Sequence, residues 1–63
     1  MVFETYTGGE HFWVRWHCGR YEIRRETPSY RKDNETIYTG SLPECFNELR
    51  RIIEANVDYD LNL

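Results

Sequence analysis

Apolar and polar residues alternate along this chain at two different periods, and the change of period separates a sheet-forming first part from a helical second part. In Ser41 to Asn56, SLPECFNELRRIIEAN, the residues Leu42, Cys45, Phe46, Leu49, Ile52 and Ile53 recur at helical spacing and form one apolar stripe. The other side, with Glu44, Asn47, Glu48, Arg51 and Glu54, reads as an ordinary solvated face. Ser41 and Glu44 make an S-x-x-E capping box, Pro43 is tolerated in the first turn, and Asn56 is the stop. A one-sided helix of this length does not stand alone in water, so the stripe must lie on an apolar surface supplied by the residues before it.

Those residues read as strands. Val2 to Tyr6 is rich in β-formers and runs into Gly8-Gly9, a hairpin turn. His11 to Cys18 (HFWVRWHC) alternates strictly: Phe12, Val14, Trp16 and Cys18 take one face, and His11, Trp13, Arg15 and His17 the other. Gly19-Arg20 fits a second two-residue turn before Tyr21 to Glu26. These turns place Trp16 opposite Ile23, Cys18 opposite Tyr21, Arg15 opposite Arg24 and His17 opposite Glu22. The first turn places Phe3 opposite Val14 and Thr5 opposite Phe12. The expected inner face is therefore Phe3, Phe12, Val14, Trp16, Cys18, Tyr21 and Ile23.

Thr27 to Asn34 (TPSYRKDN) is a polar loop with Arg31-Lys32 at its tip, and Glu35 to Thr39 is a short fourth strand that Gly40 breaks. In the tail, Val57, Tyr59, Leu61 and Leu63 alternate with Asp58, Asp60 and Asn62. That period predicts an ordered strand, added to a sheet edge or paired with another molecule. The fold expected is α+β: a three- to four-stranded antiparallel meander with one α-helix packed on one face and a possible short C-terminal strand, in a single domain over 1–63.

Composition makes the core thin. At 63 residues a single core is marginal, and dimerisation or a bound partner often supplements it. Aromatic residues at 16% compensate in part, and the exposed rings and alternating tail point to a homodimer. Charged residues at 30%, a net charge of -3, no apolar run of spanning length and no signal-peptide pattern lead us to expect a cytoplasmic protein with no membrane partner. In that compartment Cys18 and Cys45 read as buried free thiols, although a disulfide between the two inward faces is geometrically possible.

The search for chemistry is largely negative. The chain has no phosphate-binding glycine loop, no Cys-x-x-Cys and no metalloprotease helix motif. Cys18 and the histidines His11 and His17 fall on opposite faces, which speaks against a metal site and against a Cys-His nucleophile. The expectation is a non-enzymatic protein with no catalytic residue, metal or cofactor. The open sheet face is the candidate working surface, with Tyr6, Trp13, Arg15, His17 and Arg24 on it and Tyr30 in the loop beside it. Two facing arginines next to an exposed tryptophan suit an anion or an acidic, partly apolar surface.

Two partner classes compete for such a face. Single-stranded nucleic acid would use the rings for stacking and the basic residues for phosphates. Another protein is favoured by the charge distribution: His11 to Lys32 carries a balance of +4, but Glu35 to Leu63 carries -4 and the whole chain is acidic.

The lead-in Tyr38-Thr39-Gly40-Ser41-Leu42 between a strand and a single terminal helix resembles that of small bacteriophage and mobile-element proteins built as a β-meander plus helix. The resemblance covers roughly the last two-thirds of the chain and supplies no catalytic residue. It implies attachment to a host protein, as an inhibitor or adaptor.

Overall fold

The computed structural model of the chain describes residues 1–27 and 34–61. Strands β1 (Phe3–Thr7), β2 (Glu10–His17), β3 (Arg20–Glu26) and β4 (Glu35–Gly40) form one antiparallel sheet in chain order. Two helices follow, α1 (Leu42–Ala55) and α2 (Val57–Leu61). This is the α+β meander with a helix on one face that the periodicity predicts.

The first hairpin has the expected register, with Phe3 opposite Val14 and Thr5 opposite Phe12. Its turn holds Gly8 and Gly9 at φ 59° and 77°, both left-handed, as a turn matching the twist of the strands requires.

The second hairpin departs from expectation. Its turn is Cys18-Gly19, with φ 51° and 81°, and not Gly19-Arg20. His17 therefore faces Arg20, Trp16 faces Tyr21, Arg15 faces Glu22, Val14 faces Ile23 and Trp13 faces Arg24. Each β2 residue meets a β3 residue two positions earlier than the sequence reading placed it, and an even shift leaves every side chain on its predicted face. Cys18 is the exception. It sits in the turn, exposed, while Cys45 is buried, and both are free thiols.

The core is formed by Phe12, Val14 and Ile23 of the sheet against Cys45 and Leu49 of α1. Leu42, Ile52 and Ile53 pack around it with Tyr21, Ile37 and Tyr38. A register shift in β4 allows the last two to do so together: Tyr38 pairs with Ile23 and Thr36 with Arg24, leaving Ile37 as the extra residue of a bulge. Helix α1 lies over β3 and β4, so the inner face toward β1 is not fully covered. Trp16 and Phe3, expected inside, are 60% and 43% exposed, and Phe46 is 37% exposed. Phe3 meets Phe46 edge-on at 5.7 Å, and Trp16 meets Tyr21 edge-on at 4.9 Å.

The caps of α1 are those the sequence announces. The Ser41 backbone N–H donates to Glu44 Oε1 at 2.9 Å, and the Glu44 N–H donates to Ser41 Oγ at 3.3 Å. Asn56 is the C-cap.

In the tail, Val57–Leu61 is a helical turn and not the expected strand. Its anchor explains why. The Asp60 carboxylate accepts hydrogen bonds from the Gly8 N–H at 2.9 Å and from the Thr7 hydroxyl, which bends the chain back onto the first turn. These bonds hold the Asp60 carboxyl below its ordinary pKa. A Cβ on Gly8 would lie 2.7 Å from the Asn56 side chain, and one on Gly9 would lie 3.0 Å from the Tyr59 hydroxyl. The two glycines thus serve both the turn and the seating of α2. Asn62 and Leu63 lie outside the described residues. Among those described, no helix is long and apolar enough to cross a membrane.

Candidate functional site

Because α1 packs on the Phe12 and Val14 side and α2 on the Thr7 side, both helices lie on one face of the sheet. The other face presents the odd-numbered residues of β2 and the even-numbered residues of β1 and β3.

One half of this face is a file of rings. Tyr6 faces His11 across the strands, and the two rings stack at 4.4 Å with planes 11° apart. His11 is followed on the same face by Trp13, 4.8 Å away and tilted by 33°. Glu4, opposite Trp13, brings its Oε2 to 2.9 Å from His11 Nε2 and so fixes the middle ring. Tyr6 at the end of the file is 72% exposed. His11 and Trp13 are half-buried, Trp13 not fully exposed as expected, so Tyr6 offers most of the free ring surface on a file with little side-chain freedom left to lose.

The other half is a polar chain centred on Glu22, which is only 5% exposed. Arg15 Nε donates to Glu22 Oε1 at 2.6 Å, and the Thr36 hydroxyl donates to Glu22 Oε2 at 3.2 Å. Arg24 Nη1 in turn donates to Thr36 Oγ1 at 2.6 Å. Burial pushes the Glu22 carboxyl up, but the bonds from Arg15 and Thr36 and the charges of Arg15 and His17 outweigh it and hold the pKa below its ordinary value. Glu22 is therefore ionised at neutral pH. Arg24 Nε is buried with no hydrogen-bond partner among the described residues.

This geometry corrects the anion argument. The expected pair of facing arginines does not form, because the second turn brings Glu22 opposite Arg15 and Trp13 opposite Arg24. Of the residues expected to bind a partner, Tyr6, Trp13, Arg15, His17 and Arg24 do share one face. His17 stands near the turn, opposite Arg20 and exposed. Tyr30 lies outside the described residues. Sequence reasoning passed over His11, Glu4 and Glu22 as site residues. His11 was legible from alternation, which places it between Tyr6 and Trp13; Glu22 was legible as an acid that a one-residue change of turn brings opposite Arg15.

No group of His, Cys, Asp and Glu among the described residues is arranged to hold a metal ion. Cys45 is a core residue, its thiol pushed up by burial and by the charges of Glu44 and Glu22. Comparison with known proteins finds no family model that matches the chain, and no curated protein or solved structure matches it with significance.

Proposed function

We propose that this chain is a non-enzymatic protein-binding module that docks on another protein through the open face of its sheet, as an inhibitor or adaptor. The observation that carries this reading is the ring file Tyr6, His11 and Trp13, uncovered by either helix yet held in place by Glu4. Rigid tyrosine and tryptophan surfaces beside arginine are the commonest anchors of protein interfaces. The internal bonding of Arg15 and Arg24 favours a protein over a nucleic acid, since guanidinium groups tied to Glu22 and Thr36 have less positive field to offer phosphates.

A pull-down from nuclease-treated host lysate tests the proposal, comparing the wild type with a Tyr6→Ser/Trp13→Ser variant and a Phe46→Ser variant on the helix side. A protein held by the wild type and by Phe46→Ser, and lost by the double variant, is the expected result. Retention that depends on leaving nucleic acid in the lysate, and that fades steeply with salt, would replace the protein by single-stranded nucleic acid.

A further inference from the structure

We infer that two copies of this chain pair antiparallel through β1, about a two-fold axis at Thr5, to form a continuous sheet. This inference does not depend on the docking proposal, because it concerns the sheet edge and needs no other protein.

The sheet is open and has two edges, β1 and β4. They are not equivalent. Strand β4 is interrupted by the bulge at Ile37, a device that discourages edge pairing. Strand β1, FETYT, keeps an unbroken register with β2 from Phe3 to Thr7 and contains no proline. Among the described residues it is the edge without an internal bulge.

Its hydrogen-bonding groups fix the way a second strand must lie. Thr7 and Glu10 close the two-residue turn and exchange backbone bonds, so Thr7, Thr5 and Phe3 point theirs at β2 while Glu4 and Tyr6 point theirs outward. A two-fold at Thr5 sets Glu4 against Tyr6 of the partner subunit, and the outward groups of both are satisfied in one step. A register centred on Glu4 would instead put two carboxylates face to face, which repel. Charge thus excludes Glu4 as the centre, and only about Thr5 do the two outward residues pair with each other.

The occupant is a second copy because the apolar surface on the helix side is self-complementary about this axis. Phe3 comes opposite Thr7 of the partner subunit. Thr7 lies under α2 through its bond to Asp60, so the exposed Phe3 and Phe46 of one copy come beside α2 of the other. On that helix Val57 and Leu61, one turn apart and so on the same side, are 49% and 78% exposed. The two-fold makes the same match twice, as an isologous interface requires. On the opposite face, pairing sets the two ring files side by side.

Sedimentation equilibrium of the full chain, with no other component present, tests this. At about 100 μM the wild type should show twice the 7.7 kDa chain mass. Tyr6→Pro removes an outward N–H while leaving the bonds to β2 intact, and should weaken self-association about 100-fold. Tyr6→Lys places a cation opposite Glu4 of the partner subunit and should tighten it about fivefold. Circular dichroism at low concentration checks that the variants fold; should Tyr6→Pro not fold, Tyr6→Lys decides. A wild type that stays monomeric, a dimer that persists in folded Tyr6→Pro, or weaker association of Tyr6→Lys would each overturn the inference. None of these results touches the pull-down outcome, which reads a different protein.

Discussion

Leu49→Ala is expected to lower the unfolding free energy by about 3 kcal/mol, read from urea denaturation followed by far-ultraviolet circular dichroism. Leu49 is 1% exposed and stands with Cys45 as the buried part of the helix stripe, against Phe12, Val14 and Ile23. A core of this size supplies on the order of 3–5 kcal/mol of net stability, so the loss would remove most of it. The effect should be far larger than that of Phe46→Ala, because Phe46 keeps 37% of its surface in water and meets the half-exposed Phe3 edge-on. Equal losses at the two positions would contradict the seating of α1 described above.

Glu22→Ala is expected to cost about 2 kcal/mol, from the loss of charge-assisted bonds and of the counter-charge to a partly buried guanidinium. Arg15 loses its acceptor, Thr36 loses the carboxylate it donates to, and Arg24 loses the end of the chain that orders it. The sign of the pH dependence follows from the depressed pKa of Glu22 in the folded state. Its contribution is complete above the unfolded value of about 4.3 and is lost as pH falls through the lower folded value. Stability measured from pH 7 downward should therefore fall more steeply in the wild type than in Glu22→Ala. Identical acid limbs would mean that Glu22 is not bonded as described.

The faces of this molecule were legible in the sequence to a greater degree than its pairings. Alternation in β2 placed Phe12 and Val14 inside and Trp13 and Arg15 outside, and the structure agrees. The choice between Gly19-Arg20 and Cys18-Gly19 as the turn could not disturb that, since moving a two-residue turn by one position shifts the register by an even number. It did change every neighbour across the strands, and with them the chemistry of the open face. The attraction of Arg15 for Glu22 and the fit of consecutive left-handed residues to strand twist decide the turn, and the second of these required Cys18 to take a conformation usually left to glycine.

The helix was plain because stripe, capping box and stop all coincide in Ser41 to Asn56. The tail was not. Alternation of Val57, Tyr59 and Leu61 is a strand pattern that a helical turn splits between opposite sides, and the contact that overrides it is tertiary: Asp60 reaching back across the whole chain to Thr7 and Gly8. Exposure of Trp16 and Phe3 was equally hidden, because periodicity shows which face a residue takes but not how far across that face a single helix extends.

The chain holds two tryptophans, and the fold puts one on each side of the sheet, Trp13 on the open face and Trp16 on the helix side. Fluorine NMR of protein labelled with fluorotryptophan therefore gives one resonance for each face, assigned with Trp13→Phe and Trp16→Phe. The measurement is a titration with the protein captured in the pull-down. The docking proposal predicts that the Trp13 resonance shifts on binding while that of Trp16 stays in place. A shift of Trp16 with Trp13 unmoved would contradict it and place the contact on the helix side.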